Sequence, residues 1–357
     1  MTRHLATWTL AAMAVVGCRA GAGPTGAGTD TGAAGGGTAA TADGPDGLRV
    51  VGPFTHGNLS VFLLAGPAAG ETREFLTLDE GLASGQVAIT EQGGAQGEDQ
   101  ATVNTLEITN RSGKWVYVEA GEVVRGGKQD RTMGRDLLVA PDVQAQPLAA
   151  YCVEHGRWTA RGGRGSGQVV LEATTLNFAC ASVNLPAAAK IALLKEKDQG
   201  QVWEAVAKCR EENAAQQSGS GTFMDVAESV DVQGRVKPYL DALAAVADAH
   251  ADAVGCAFAR GGEVIGVDVY APPALFRKLY RKLLDAQARD AALATGEAGV
   301  VPAPAAVATF LRAAADGQVQ EEAVAAGQAM RTCENGKTIA FEAKEGEKRL
   351  HLNVLKK

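Results

Sequence analysis

The 357-residue sequence lacks the short motifs by which many enzyme classes are recognised. No Rossmann-type GxGxxG turn follows a predicted strand, and there is no Walker loop, HExxH, GxSxG or CxxC. These absences count against an ordinary nucleotide or dinucleotide enzyme, a zinc ribbon and a thioredoxin-like site. Only five histidines occur, and no pair stands at metal-ligand spacing. We therefore expect no metal site and no bound cofactor.

The sequence also lacks an excess of basic residues. Its formal net charge is −7 at pH 7, whereas nonspecific nucleic-acid binding requires a basic surface. We expect no nucleic-acid partner, although a local basic pocket remains compatible with this composition.

Disulfide pairing is left open by the cysteine content. Five cysteines follow Cys18, and an odd number leaves at least one thiol free in an oxidising compartment. Because free cysteine is commonly buried, we expect most of the five to be small apolar core residues.

The first eighteen residues have the pattern of a secretory signal. A basic start with Arg3 precedes an apolar run at residues 5–16, which is too short to anchor a helix across a bilayer. Val15-Val16-Gly17-Cys18 resembles a bacterial lipobox, which implies cleavage after residue 17 and diacylglycerol on Cys18. The alternative is an ordinary signal peptide that contains a cysteine. The lipobox interpretation predicts a lipid-anchored protein of the cell envelope, outside the cytoplasm, with the membrane as partner.

Residues 18–47 are predicted to form a flexible tether. They are rich in glycine, alanine and threonine and contain no large apolar side chain, so they cannot bury enough surface to offset the entropy of ordering. A coil of this length reaches roughly 30 Å, enough to hold a folded body clear of a membrane.

Residues 48–357 are expected to form a single α+β domain. From residue 48 to 184, short runs rich in Val, Ile, Leu and Tyr alternate with Gly, Asn, Pro or Ser, which predicts a β-rich sandwich or barrel-like sheet. Residues 115–124 read as one of these strands. From 185 to 357 the spacing becomes helical, and a smaller set of strands packs with the helices.

The clearest helix signal is the amphipathic stretch at residues 271–293. Leu275, Leu279 and Leu283 fall on one face together with Ala286, and the opposite face carries Arg and Lys, most simply as a solvated surface. Near the end of the chain, Asn335-Gly336 predicts a tight turn between two strands.

Two charged bends are the candidate functional segments. The first bend, residues 119–131, and the second bend, residues 151–158, each leave an apolar strand and enter a turn that contains glycine. Sites are often built at strand ends, because the sheet fixes the geometry while the loop supplies side chains. If the two strands are neighbours, the bends face each other across one mouth.

The residue types in the bends indicate what such a mouth would bind. Arginine suits carboxylate or phosphate through paired N–H groups, and Gly126-Gly127 lets backbone N–H groups approach an anion. The predicted ligand-binding residues are Arg125, Lys128, Gln129, Asp130, Arg131 and Arg157. The predicted acid and base, if the site is catalytic, are drawn from Glu122, Glu154 and His155.

Simpler interpretations remain open for both bends. A run such as RGGKQDR is often a solvated hairpin tip whose ion pair contributes under about 1 kcal/mol. A nucleophilic Cys152 activated by His155 is conceivable, but strand alternation sends these two positions to opposite faces.

Four stretches carry a resemblance to a known family. They are GPFTHGNLSVFLL, VNTLEITNRSGKWVYVEAGEVVRGGKQDRT, YCVEHGRW and GGEVIGVDVYAPPALFRKLYRKLLDAQARDA. In this order they resemble the ADP-ribosylglycohydrolase- and rhodanese-phosphatase-associated protein domain, an uncharacterised bacterial family. The resemblance covers nearly all of residues 50–357, which favours one domain. It implies a link to ADP-ribose and NAD-derived metabolites through gene and domain association, without a catalytic residue to carry over.

Three functions are compatible with these features. The first is a membrane-anchored extracytoplasmic lipoprotein that binds a small anionic ligand in a charged pocket. The alternative is a hydrolase that acts on an ADP-ribose-like or other phosphorylated substrate. The third is an envelope assembly component without a ligand. The sequence leaves open whether the protein is an enzyme.

Overall fold

The computed structural model describes residues 40–67, 70–91, 105–156, 178–213, 219–294 and 299–357. The signal segment, the tether up to residue 39, a further predicted strand at 168–176 and the second bend beyond Gly156 lie outside these ranges. Residues 39–357 group into one compact unit.

Strands predominate up to residue 184, and most of the helices follow together with a smaller set of strands, which confirms the expected α+β class. The strands are β1 (Thr41–Asp43), β2 (Arg49–His56), β3 (Leu59–Ala65), β4 (Phe75–Thr77), β5 (Val87–Glu91), β6 (Thr105–Asn110), β7 (Trp115–Val118), β8 (Glu122–Gly126), β9 (Arg131–Met133), β10 (Leu137–Val139), β11 (Gln146–Cys152), β12 (Phe178–Asn184), β13 (Ala253–Arg260), β14 (Glu263–Tyr270), β15 (Gln318–Ala325), β16 (Gln328–Glu334), β17 (Thr338–Glu345) and β18 (Lys348–Lys356). The α-helices are α1 (Leu78–Ala83), α2 (Ala187–Ile191), α3 (Gln199–Glu212), α4 (Met224–Ala227), α5 (Val230–Leu243), α6 (Pro273–Leu293) and α7 (Pro304–Ala314).

A large antiparallel sheet joins the two halves of the chain. Its order is β1-β2-β3-β13-β14-β18-β17-β16-β15, and β3 pairs with β13 with Phe62 opposite Ala257. The first half therefore shares its sheet with the last strands. The change of pattern at residue 184 is not a boundary between sheets.

Helices cover both faces of this large sheet. The α6 residues Leu275, Leu279 and Leu283 are buried in a cluster with sheet residues such as Phe258. Each such side chain contributes about 1.5–3 kcal/mol through burial. On the opposite face, α7 packs through Val307 and other apolar residues against the sheet.

The basic side of α6 departs from the expected solvated surface. Arg277, Lys278 and Arg281 are exposed as predicted. Lys282 and Arg289, by contrast, are buried, because this part of the helix packs against the smaller sheets rather than facing water. A buried lysine must have an anionic partner.

Two smaller sheets hold the first bend. The six-stranded sheet has the order β12-β8-β9-β11-β6-β5, and the three-stranded sheet has the order β10-β7-β4. The stretch 115–124, predicted as one strand, is in fact β7 and β8 in different sheets. The break falls at Gly121, which has φ +86°, and a Cβ there would lie 2.4 Å from Oδ1 of Asn184. The resulting corner turns Glu119 and Glu122 into the interior.

None of the helices in the described ranges combines the length and apolarity needed to cross a membrane.

Candidate functional site

The sheet order brings the two charged bends together. Strand β9 pairs with both β8 and β11, so Arg131 lies opposite Cys152. The backbone N–H of Asp130 donates to Oε2 of Glu154 at 2.9 Å. Nε2 of Gln129 donates to the Glu154 carbonyl at 2.8 Å. Residues 24 or 25 positions apart in the chain therefore meet at one place.

The turn between β8 and β9 holds a carboxylate that belongs to the chain itself. The backbone N–H of Lys128 donates to Oε1 of Glu91 at 3.0 Å. A Cβ at Gly127 would lie 2.5 Å from the same oxygen, so glycine is needed for the carboxylate to come this close. Nη2 of Arg131 lies 3.6 Å from that oxygen. The turn thus holds a carboxylate of the chain itself, and binding of an external anion stays a prediction.

Arg131 is the central cation of this arrangement, with none of its surface exposed. Its Nη1 donates to Oε1 of Gln129 at 3.2 Å and to Sγ of Cys152 at 2.9 Å. Within the described residues, Nε and Nη2 of Arg131 and Oε2 of Glu91 have no hydrogen-bond partner. A buried guanidinium with two unused donors and a carboxylate with an unused oxygen leave unsatisfied polar groups on both sides of one small region.

Asp130 connects this region to a third segment. Its Oδ2 accepts from Oγ1 of Thr222 at 2.8 Å, and its carbonyl accepts from the N–H of Val153 at 3.0 Å. We name Glu91, Gln129, Asp130, Arg131 and Glu154 the turn site, and this name is kept below.

The remaining predicted residues do not share one position. Arg125 pairs with Glu228, and its side chain is 34% exposed. His155 is exposed and its ring meets Trp203 edge-on at 4.5 Å. Arg157 lies outside the described residues. Burial raises the pKa of Cys152 to about 11, so its thiol is protonated at neutral pH and unsuited to nucleophilic attack.

Glu122 belongs to a different and more deeply buried group. Seven titratable side chains lie where α6, the large sheet and the smaller sheets meet, and we call them the buried centre. They are Glu119, Glu122, Asp136, Lys190, Asp268, Lys282 and His351, each at most 6% exposed.

Lys282 on α6 supplies the cation for Glu122. Its Nζ donates to Oε1 of Glu122 and lies 3.0 Å from Oδ1 of Asp79. Oε2 of Glu122 accepts from the backbone N–H of Glu119 at 2.9 Å. Burial raises the pKa of Glu122 to about 7, against the opposing effect of Lys282, and the nearby Glu119 and Asp79 raise it further. A carboxyl group with such a pKa can exchange a proton near neutral pH.

His351 on β18 lies between two carboxylates. Its Nδ1 is 2.7 Å from Oδ2 of Asp136 and its Nε2 is 3.2 Å from Oδ1 of Asp268. Burial alone would lower the pKa of His351, but Asp136 and Asp268 raise it to about 10. Burial likewise opposes ionisation of Asp136, yet His351 holds the pKa of Asp136 below its ordinary value. The ring of Tyr270 stacks on the imidazole at 4.2 Å.

Glu119 and Lys190 complete the buried centre. Nζ of Lys190 donates to Oε1 of Glu119 at 3.3 Å, and the hydroxyl of Tyr270 donates to the same oxygen at 3.2 Å. Burial opposes the charge on Lys190, but Glu119, Asp268 and Asp136 raise its pKa overall. The two lysines therefore remain cationic inside the protein.

Two surface clefts lie apart from both groups. A cleft of about 580 Å³ is bordered by Lys208, Cys209, Arg260 and Asp290. A second cleft of about 520 Å³ is bordered by Arg73, Lys114 and Arg277. Arg73 is already held by Glu71 and Glu345 at 2.7 and 2.5 Å. The charged groups of the second cleft are therefore engaged within the chain.

Sequence reasoning missed most of the buried centre. Asp268 and His351 each interrupt an apolar strand, in VIGVDVY and LHLNVL. A charged residue inside a strand that is otherwise apolar is unusual, since unpaired charge is rarely buried. That signal was available, but the residues that pair with it lie far away in the chain.

Comparison with known proteins gives one family match. The family model described as ARG and Rhodanese-Phosphatase-superfamily-associated Protein domain, ARPP-1, matches residues 47–355. No curated protein and no solved structure matches the chain.

Proposed function

The chain belongs to the ARG and Rhodanese-Phosphatase-superfamily-associated Protein domain family, and on that premise we propose that its folded domain binds a small anionic ligand at the turn site. The family description carries an association with ADP-ribose chemistry rather than an activity. The ligand class is therefore argued from the residues of the turn site.

The observation that carries the proposal is the state of Arg131. Its guanidinium is fully buried, and among the described residues Nε and Nη2 lack a hydrogen-bond partner. Leaving a buried donor unsatisfied costs about 1–3 kcal/mol. A carboxylate or phosphate oxygen placed against these two N–H groups would satisfy them in the paired geometry that arginine prefers.

Glu91 indicates the size and chemistry of the anion. Its carboxylate already accepts from the N–H of Lys128 at 3.0 Å, while its second oxygen has no partner within the described residues. A ligand would approach beside Glu91 or displace it from the turn. Because the residues of the turn site are buried, a compact anion such as phosphate, or the phosphate group of a larger metabolite, would displace less of the protein than a bulky one.

The second element of the proposal is the location of the protein. The lipobox-like residues before Cys18 support lipid attachment there, and the tether at residues 18–47 would hold the domain near a membrane outside the cytoplasm. Metabolic labelling with a tagged fatty acid tests this directly. Label on the wild-type chain and none on Cys18→Ser supports the anchor; equal labelling of both chains contradicts it.

Ligand binding is tested by thermal unfolding and calorimetry with phosphate, citrate and ADP-ribose. A ligand present at about 100 times its dissociation constant stabilises the folded state by about 2.7 kcal/mol. Removal of Arg131 alone would leave the Glu91 carboxylate buried without its cation. The paired variant Glu91→Gln/Arg131→Gln removes both charges and is expected to abolish binding while keeping the fold.

The matched control is Arg111→Ala. Arg111 is exposed on the turn between β6 and β7, so its loss changes the net charge without touching the turn site. The proposal fails if none of the anions shifts the wild-type midpoint, or if the paired variant binds as tightly as Arg111→Ala.

A second candidate, a hydrolase acting on an ADP-ribose-like or other phosphorylated substrate, is favoured by one observation. Glu122 is buried and has a pKa of about 7, which suits a general acid or base. Its side chain faces Lys282 in the buried centre, whereas Glu154 lies in the turn site. Release of phosphate or ribose that Glu122→Gln abolishes and Glu154→Gln leaves intact would support this assignment. Equal turnover by wild type and Glu122→Gln would reject it.

A further inference from the structure

We propose that the buried centre binds one divalent transition-metal ion, with Glu119, Asp268 and His351 as its protein ligands. This proposal is independent of the turn site and differs from the expectation of no metal. The three ligands come from β14, β18 and the corner after β7. No local spacing in the sequence could reveal such a set, because the fold alone brings its members together.

The three residues lie close enough together to hold one ion after a small adjustment of their side chains. One ligand atom from each lies within 4.8 Å of the others. Nε2 of His351 and Oδ1 of Asp268 are 3.2 Å apart. Two ligand atoms that are each about 2.1 Å from a metal are roughly 3.0–3.4 Å apart at octahedral or tetrahedral angles. A charge-assisted N–H···O hydrogen bond is usually shorter, at about 2.7–2.9 Å.

Asp136 orients the imidazole in the way that metal-bound histidines require. Nδ1 of His351 is 2.7 Å from Asp136, and Asp136 also accepts from the hydroxyl of Tyr117 at 2.9 Å and the N–H of Ala120 at 2.7 Å. A carboxylate held this firmly keeps the ring hydrogen on Nδ1 and directs the lone pair of Nε2 at the opposite side. Asp136 is thus a positioning residue for the ligand His351.

Two buried oxygens without a donor independently favour a cation at this place. Within the described residues, Oε2 of Glu119 and Oδ1 of Asn353 have no hydrogen-bond partner. Glu119 is 0% exposed and Asn353 is 4% exposed, and Nδ2 of Asn353 donates to Oδ1 of Asp268 at 2.8 Å. A buried carboxylate oxygen without a donor is expensive to retain, whereas a bound cation would satisfy it.

The side chains around the three ligands carry a net charge of about −2 when His351 is neutral. Glu119, Asp136 and Asp268 contribute three carboxylates, and Lys190 contributes one ammonium at 3.3 Å from Glu119. Glu122 and Lys282 form a neighbouring pair of opposite charge. With neutral His351 as a ligand, one divalent ion balances the remainder. One nitrogen and two carboxylate ligands suit Zn²⁺, Mn²⁺ or Fe²⁺.

The test measures the metal content of the full chain. The protein is first stripped with a chelator, then reloaded with Zn²⁺ or Mn²⁺, and the free ion is removed before the measurement. We expect about one ion per chain from this single three-ligand site, measured by mass spectrometry of the metal. Asp268→Asn is nearly isosteric and is expected to weaken retention at least tenfold. Asp136→Asn removes the carboxylate that orients His351 and one negative charge near the ion, and it is expected to weaken retention by roughly 10–100-fold.

His56→Ala is the matched control, since His56 at the end of β2 meets the ring of Tyr239 on α5 edge-on and is not one of the ligands. It should retain metal like the wild type. Loading with Co²⁺ adds a second readout, because visible absorption of the bound ion should appear in the wild type and disappear in Asp268→Asn. Circular dichroism verifies that Asp268→Asn is folded.

If the wild type retains no more metal than Asp268→Asn, the proposal is wrong, and a proton on His351 neutralises the centre instead. Equal metal retention by folded Asp268→Asn and His56→Ala would also overturn it.

Discussion

The N–H of Asp130 lies 2.9 Å from Oε2 of Glu154, and this bond joins the two bends, between which the chain forms β9, β10 and β11. The carboxylate is 1% exposed, so the bond is sheltered from water. It fixes the end of β11 against the turn that precedes β9. The position of the turn site, and with it the burial of Arg131, depends on this junction.

The pairing of Arg131 with Glu91 should be visible in stability. Arg131→Gln leaves a buried carboxylate without its cation and is expected to lower the free energy of unfolding by about 3–5 kcal/mol. Glu91→Gln/Arg131→Gln should recover part of that loss. Urea denaturation measures both. A loss for the paired variant equal to the sum of the losses for Arg131→Gln and Glu91→Gln would show that the two charges do not interact.

Stability should fall in acid through Glu71. Arg73 is the main cause that holds the pKa of Glu71 at about 2, with a further contribution from Lys348 and against an opposing effect of burial. Because the folded pKa lies below its ordinary value of 4.5, this stabilisation is complete above that value and disappears as the pH falls from 4.5 to 2.

Glu71→Gln should remove this part of the acid dependence and cost about 1–3 kcal/mol at pH 7. Unfolding by urea at pH 7 and pH 3 measures the difference. The control Glu74→Gln changes a side chain that is 81% exposed and should behave like the wild type. An unchanged acid slope in Glu71→Gln would contradict the assignment.

Tyr117→Phe tests the support of Asp136 without altering charge. The hydroxyl of Tyr117 donates to Oδ2 of Asp136 at 2.9 Å, and both are buried. Its loss should cost about 1–3 kcal/mol, since a buried acceptor loses a donor. Tyr239→Phe removes a partly exposed bond to Asn58 of 2.9 Å and should cost less. The two variants should be compared by urea unfolding; the reverse order would contradict this account.

Gly121 should be far less replaceable than Gly113. Both have positive φ, +86° and +68°, and an L-residue in that region costs about 1–2 kcal/mol. A Cβ at Gly113 meets open space, whereas one at Gly121 lies 2.4 Å from Asn184 and 2.8 Å from Cε of Lys190. Overpacking adds about 1–3 kcal/mol.

Gly121→Ala should therefore lower the free energy of unfolding clearly more than Gly113→Ala, as measured by urea unfolding. Similar losses would show that the corner before β8 can relax around a methyl group.

The described cysteines should resist alkylation in the native protein. All five are free thiols. Burial raises the pKa of Cys152 to about 11 and that of Cys209 to about 12, and the thiolate is the reactive form. Peptide mapping after iodoacetamide at pH 8 should show slow modification of Cys152 and Cys209 in buffer and fast modification in urea. Fast labelling of Cys152 in the native protein would contradict its burial.

Local patterns predicted the elements that depend on local chemistry. The turn at Asn335-Gly336 does separate β16 from β17, and Leu275, Leu279, Leu283 and Ala286 of α6 are buried as their spacing indicates. The corner at Gly121 was missed because the residues on either side of Glu119-Ala120-Gly121-Glu122 are apolar and rich in valine, as in one continuous strand. Gly121 is required there because its backbone passes close to Asn184 and Lys190, and neither residue is near Gly121 in the sequence.

For the candidate site, too, local features could be predicted from the sequence and long-range contacts could not. The sequence predicted that the two bends meet if the strands they leave are neighbours. Those strands, β8 and β11, are not adjacent, but β9 lies between them and pairs with both, and this brings the bends together. The partner of each charged side chain could not be predicted. Glu122 faces Lys282, 160 residues later, and His351 reaches Asp136, 215 residues earlier. Such partnerships arise from the packing of α6 and the sheets rather than from any spacing.

The outermost strand β15 has a consequence for how copies of this protein behave together. It pairs with β16 at one end of the large sheet, and Glu321 and Glu322 lie exposed in its middle. An unpaired strand edge can act as a template for another chain, and charge on that edge discourages it. Glu321 lies 3.7 Å from Nζ of Lys344 and Glu322 pairs with Lys197, so two identical molecules that approached by this route would have to dehydrate these charged groups. The adjacent acids therefore protect against fibril-like stacking, and this protection would weaken in strong acid.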